Sequence, residues 1–129
     1  MKCENKKFLV CEKCGNMIGM IHDSGVPVVC CAQNMTLLEP NTQEASHEKH
    51  VPVITQSGAA VKIDIGSAPH PMAEEHYIMW VFIQTEQGGQ RKCLEPGQAP
   101  GVEFALATGD KLEAAYAYCN IHGLWKAEA

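Results

Sequence analysis

Two pairs of cysteines, Cys11-Glu12-Lys13-Cys14 and Cys30-Cys31, fall early in the chain and set the strongest limit on what it can fold into. A segment of fewer than about 40 residues seldom buries enough apolar surface to fold alone. A metal held by four thiolates supplies the missing stability. Gly15 follows the first pair and lets the backbone turn tightly beneath the sulfurs. Around the cysteines, residues 8–10, 17–21, 26–29 and 35–38 read as short strands, with Asp23-Ser24-Gly25 as a turn. Tetrahedral sulfur coordination suits either zinc or iron. A pair of C-x-x-C knuckles favours zinc, but adjacent cysteines lack the intervening turn and force a distorted geometry that is unusual in zinc ribbons.

The chain holds 7 cysteines. In a reducing compartment cysteines are more often metal ligands than disulfides, and the odd count rules out complete pairing within the chain. The N-terminus, Met1-Lys2-Cys3-Glu4-Asn5-Lys6-Lys7, leads into only a few apolar residues, unlike an export signal. No apolar run approaches the roughly 18–20 residues that cross a bilayer. These features predict a cytoplasmic protein away from membranes. The net charge of −5 argues against a nucleic-acid surface, which needs clustered Lys and Arg.

The stretch Glu39-Pro40-Asn41-Thr42-Gln43-Glu44-Ala45-Ser46 is polar, contains proline and lacks periodicity. It predicts a linker over 39–46, between a metal-binding domain at 1–38 and a second domain at 47–129. In the second domain Val61, Ile63 and Ile65 alternate with polar residues, as do Val102, Phe104 and Leu106 with smaller or charged ones; residues 76–83 are apolar on both faces, as in a core strand. Gly88-Gly89 and Pro96-Gly97 mark turns. Residues 112–118 are ambiguous, because Glu and three alanines favour helix while two tyrosines favour strand. The predicted fold class is all-β: a small metal-binding domain followed by an antiparallel β-sandwich of immunoglobulin-like size, with Trp80 as a core anchor.

Near the C-terminus, Tyr118-Cys119-Asn120-Ile121-His122-Gly123 places a thiol and an imidazole three residues apart, close enough to grip one ion if the chain turns sharply. Two ligands do not make a site. His50, His70 and His76 are the residues that would complete one, although a lone histidine on a strand is more often a hydrogen-bonded structural residue.

The local contexts of these residues carry a resemblance. Cys11, Cys14, Cys30 and Cys31, with C-G-N after the first pair and V-V-C-C-A-Q-N-M around the second, are similar to the desulforedoxin domain, which binds one iron in a distorted rubredoxin-like centre. The segments Glu48-Lys49-His50-Val51-Pro52-Val53-Ile54, Gly66-Ser67-Ala68-Pro69-His70-Pro71-Met72, Glu75-His76 and 118–126 resemble the superoxide reductase domain. Together they cover nearly the whole chain and resemble the desulfoferrodoxin family, the two-iron form of superoxide reductase. The resemblance implies two iron centres per chain. Cys11, Cys14, Cys30 and Cys31 would hold the accessory one; His50, His70, His76 and His122 would take the equator of the catalytic one, with Cys119 as its axial ligand. It also implies a homodimer, superoxide as substrate, and an external electron donor such as a rubredoxin-type protein.

The chemistry follows from such a ligand set. Five ligands on an iron that favours six leave one position for a small substrate, and four neutral imidazoles with one thiolate leave Fe(II) net positive and attractive to an anion. The trans thiolate donates electron density and helps an electron pass to superoxide; protonation gives hydrogen peroxide, and Fe(III) is re-reduced from outside. Lys49 is the cation placed to steer superoxide. The family resemblance implies that Glu48 fills the sixth position of the ferric iron and displaces peroxide. Alternatives of another class are a non-catalytic iron electron carrier, which gains little from an open position, and a zinc-stabilised binding module, which elemental analysis distinguishes: zinc at both centres and a colourless protein would exclude the redox account. Other residues take plainer readings: Cys3 a free thiol, His22 and His47 exposed, Cys93 a small buried hydrophobe, and Glu74 and Glu75 solvent-facing, with Glu75 near enough to orient an imidazole.

Overall fold

The computed structural model describes residues 7–129, so Cys3 lies outside the described residues. They form twelve strands and a single helical turn. The chain divides into two compact units, with the boundary between Glu39 and Pro40.

In the smaller unit, β1 (Lys7–Val10) is central, pairing antiparallel with β2 (Met17–Met20) and with β5 (Thr36–Leu37). A second ribbon pairs β3 (Val29–Cys30) with β4 (Gln33–Asn34). The strand expected over 26–29 shrinks to Val29–Cys30, because Pro27 cannot donate to a ladder. Phe8 and Cys11 are the buried residues of this unit; Ile21, Val26, Val29 and Leu37 stay exposed.

The larger unit begins with a helical turn, α1 (His47–His50), followed by the hairpin β6 (Pro52–Ser57) and β7 (Ala60–Ile65). β8 (Ile78–Thr85) and β9 (Gly88–Cys93) form a second hairpin, then come β10 (Gly101–Ala105), β11 (Leu112–Cys119) and β12 (Gly123–Glu128). They make two antiparallel sheets, ordered β10-β7-β6 and β12-β11-β8-β9. Val61, Ile63, Ile65 and Phe104 from the first and Val81, Ile83, Ala115, Ala117 and Cys119 from the second share one buried cluster, the period-2 pattern read as core from the sequence.

Several local expectations change. The stretch over 112–118 is a strand, since Leu112, Ala115 and Ala117 fit the tight space between sheets and the tyrosines pack on the outer face. The strand expected from residue 76 starts at Ile78, with His76 instead bridged to Ala73. Gly88-Gly89 opens β9, and the turn falls at residues 86–87. Trp80 lies outside the shared cluster and stacks on Tyr118 across the outer face, centroids 5.7 Å apart; the fully buried indole is Trp125. Cys93 is exposed on β9 rather than buried, because it sits on an edge strand with no second sheet over it. The polar segment expected as a linker is tied to the larger unit: Asn41 N donates to Leu124 O, and its carboxamide bridges Lys126 N and O.

Among the described residues no helix is long and apolar enough to cross a membrane.

Candidate metal centres

Four cysteines of the smaller unit converge. Cys11, Cys14, Cys30 and Cys31 present sulfurs that all lie within 4.8 Å of one another. The knuckle turns as its glycine predicts: Gly15 has φ of 82°, its N–H donates to Cys11 O at 2.8 Å, and Asn16 N points at Cys14 Sγ at 3.4 Å. The other pair needs a costlier backbone, with Cys31 at φ 52° and Ala32 at φ 61°, the left-handed region that non-glycine residues avoid. Cys14 and Cys30 sulfurs stand 3.7 Å apart. Sulfurs bound at ~2.3 Å to one tetrahedral ion stand about 3.8 Å apart.

The electrostatics of this group point the same way. The backbone N–H of Cys14 holds the Cys11 thiol down at about 6. Cys31 is pushed up to about 12, first by Cys14 and then by Cys11 and Cys30. Four thiols this close cannot all ionise unless a cation sits among them, so the donor set fits a thiophilic metal.

The second group lies at one end of the sandwich of the larger unit. His50 closes α1; His70 follows β7, its N–H donating to Ile65 O at 2.9 Å; His76 precedes β8; Cys119 ends β11 and His122 sits in the turn to β12. The imidazoles form a square in the order His50, His70, His76, His122. Neighbouring centroids are 4.6, 4.7, 5.1 and 4.9 Å apart around it, with ring planes crossing at 75–88°, whereas His50 and His76 face across the diagonal at 6.4 Å. Cys119 Sγ lies 3.5 Å from His122 N and 4.0 Å from His122 Nδ1. His50, His76, Cys119 and His122 each offer an atom within 4.8 Å of the others.

The tautomers are fixed from outside the square. His50 Nδ1 donates to Ser46 O at 2.6 Å and His70 Nδ1 donates to Pro71 O at 2.7 Å. Each Nε2 is therefore a bare lone pair. Yet His50 Nε2 faces His70 Nε2 at 3.1 Å, and His122 Nδ1 at 3.1 Å on its other side. Two lone pairs at that distance repel. A cation between them removes the conflict, and donors bound at ~2.1 Å at right angles stand about 3.0 Å apart. His76 Nε2 is buried without any hydrogen-bond partner. Burial holds His50, His70 and His76 below the usual imidazole range, His70 at about 4, which keeps them neutral and able to bind metal.

Glu48 and Lys49 stand in α1 beside His50, with both side chains exposed. Lys49 is close enough for its charge to depress both His50 and His76. The Glu48 carbonyl accepts from Ala68 N at 2.9 Å and Ser67 Oγ at 3.2 Å. Three contributions had no separate sequence signal: the Ser46 and Pro71 carbonyls, the close approach at Gly66, and Trp125. The last donates Nε1–H to His122 O at 3.1 Å, lies 4.9 Å from the His50 ring and meets His47 edge-on. A surface cavity of ≈ 610 Å³, lined by Val53, Lys62 and Pro100 among others, includes none of these ligand candidates.

A sequence profile of the desulfoferrodoxin family matches residues 42–128. The desulfoferrodoxin of Nitratidesulfovibrio vulgaris is 42% identical over 119 residues, 92% of this chain and 93% of its own length. A protein named superoxide reductase from Pyrococcus horikoshii is 37% identical over 98 residues, 63% of this chain and 85% of its own. The crystal structure of the superoxide reductase from Treponema pallidum superposes with a TM-score of 0.83 at 37% identity, covering 97% of this chain and 100% of that one. With its two donor clusters and a match along nearly its full length, the chain belongs to the desulfoferrodoxin family.

Proposed function

We propose that the protein is a superoxide reductase, converting superoxide to hydrogen peroxide with one electron and two protons and releasing no oxygen. The observation that carries this is the pair of lone-pair nitrogens, His50 Nε2 and His70 Nε2, forced together at 3.1 Å inside a square of four imidazoles with a thiol beside it. That donor set is the one expected for a mononuclear non-haem iron, and bound iron supplies the electron.

The chain's residues do the rest. His50, His70, His76, His122 and Cys119 would together hold the iron. Neutral imidazoles leave the centre positive toward an anion. Lys49 adds a mobile cation at the rim and draws superoxide in, although the whole protein is acidic. Glu48, the residue before Lys49, offers an exposed carboxylate that would help peroxide leave the site. Cys11, Cys14, Cys30 and Cys31 would hold an accessory iron within a domain at residues 1–38, and residues 47–129 would form the catalytic domain.

The same reading includes a homodimer, an external one-electron donor and a cytoplasmic location. Ile21, Val26 and Val29, exposed at 95%, 70% and 61%, give the smaller unit an apolar surface suited to pairing with a second copy.

The test is a pulse of superoxide delivered to the reduced, iron-loaded protein. We expect rapid oxidation of the iron and peroxide formation without oxygen. Slow oxidation, or oxygen evolution as in dismutation, overturns the assignment.

A further inference from the structure

His76 is held differently from its neighbours. His50 and His70 are each locked at the ring by a backbone carbonyl, and His122 packs against His50 and the Cys119 sulfur. The His76 ring has no such bond; its buried Nε2 is unpartnered. Its direction therefore depends on its backbone, which lies ahead of β8 with only the short bridge to Ala73 on one side.

Asn120 supplies the other side. Its Nδ2 donates to Glu75 O at 3.1 Å, its Oδ1 accepts from Tyr77 N at 2.9 Å, and its own N–H donates to Tyr77 O at 3.2 Å. The two residues flanking His76 are thus clasped by the residue that follows Cys119. The clasp falls where the β11–β8 ladder shifts register between Tyr118 and Cys119, so regular strand pairing does not do this work. The carboxamide imitates a peptide group and continues the ladder across the break.

We infer that Asn120 is the positioning residue for His76, coupling the placement of that imidazole to the placement of the Cys119 thiolate so that the two reach one metal together. This rests on reading His76 and Cys119 as ligands of the same iron. Asn120 itself touches neither the metal nor the substrate.

The test is a double-mutant cycle on the full-length, iron-loaded protein, reading how fast an EDTA-type chelator bleaches the ferric thiolate absorption of the histidine centre. Asn120→Ala is expected to speed iron loss about 10- to 100-fold, the usual effect of losing a group that orients a ligand. In a His76→Ala background the same change is expected to matter less than about twofold, because the imidazole it positions is gone. A merely structural role would act equally in both backgrounds, and additive effects, or no acceleration in the parent protein, overturn the inference. If His76→Ala alone leaves iron loss unchanged, the ligand assignment itself fails, which is a separate result. Should Asn120→Ala not fold, Asn120→Asp carries the same cycle: it keeps the acceptor for Tyr77 N–H but sets a carboxylate oxygen against Glu75 O.

Discussion

Gly66 and Glu48 meet backbone to backbone: a Cβ on Gly66 would stand 2.5 Å from Glu48 O and 2.9 Å from Lys49 C. The loop that leads to His70 can therefore lie against the turn that carries Glu48 and Lys49 only because residue 66 has no side chain. Gly66→Ala must push the two apart. We expect the reaction with superoxide to slow about 10-fold or more, since displacements of under an ångström are costly in a positioned site, with iron content retained. Rapid mixing with superoxide measures this, and a parent-like rate would show that the clasp at Glu48 O does not set the position of these side chains.

Lys49 acts on its surroundings through charge, as its depression of His50 and His76 shows. Lys49→Ala is expected to lower the second-order rate with superoxide about 10-fold and to flatten its dependence on ionic strength. Lys49→Arg should keep most of both. Rates measured across a salt series decide the matter, and an unchanged rate removes Lys49 from the mechanism.

Trp125 is fully buried and supports two of the imidazoles at once, by a hydrogen bond to His122 O and by ring contact with His50. Trp125→Phe keeps much of the ring contact and loses the donor. We expect a stability loss of about 1–2 kcal/mol in denaturant unfolding, the usual cost of leaving such an acceptor unpaired, and a shifted ferric thiolate absorption.

Cys31 is the most strongly raised thiol of the four-sulfur group and sits in a left-handed backbone. Cys31→Ser is expected to abolish that centre's absorption while the histidine centre still oxidises with superoxide within about twofold of the parent rate, as expected if the two sites act independently. Loss of both activities would instead make the sulfur centre an obligatory part of the reaction.

Asp110, between β10 and β11, offers a pH test of the sandwich. A hydrogen bond from Thr85, together with the Lys111 and Gln87 backbone N–H groups, holds its carboxyl below the usual carboxylate range. A depressed carboxylate stabilises the fold above its unfolded value, 3.8, and that contribution is lost as pH falls through the lower folded value. Asp110→Asn does not titrate, so its melting temperature should lie below the parent's at neutral pH and converge on it below pH 3.8.

The sequence makes some of this legible and hides the rest for physical reasons. Ligand candidates stand out because few residue types bind metal, and Cys11 to Cys14 and Cys119 to His122 carry their spacing locally. Alternation at Val61, Ile63 and Ile65 reports one buried face directly. Residues 112–118 resist the same treatment, because alanine is chosen there for its small volume between packed sheets, a tertiary demand that mimics helix preference. Trp80 and Trp125 are equally apolar as letters and both are buried; which one is enclosed completely depends on the face each strand turns inward. Cys93 reads as a core residue until its strand proves to be an edge. Carbonyl partners such as Ser46 O and Pro71 O leave no trace in side-chain identity at all.

The burial of Cys119 has a bearing on durability. Its sulfur ends a strand on the inward face of the sandwich with no exposed surface, whereas Cys14, Cys31 and Cys93 are exposed. On the proposed function the product is peroxide, the reagent that converts thiols to sulfenic and then sulfinic acids. Oxidants arriving from solution meet Cys14, Cys31 and Cys93 first, whereas the Cys119 sulfur is reached only through the site itself or by opening the sandwich.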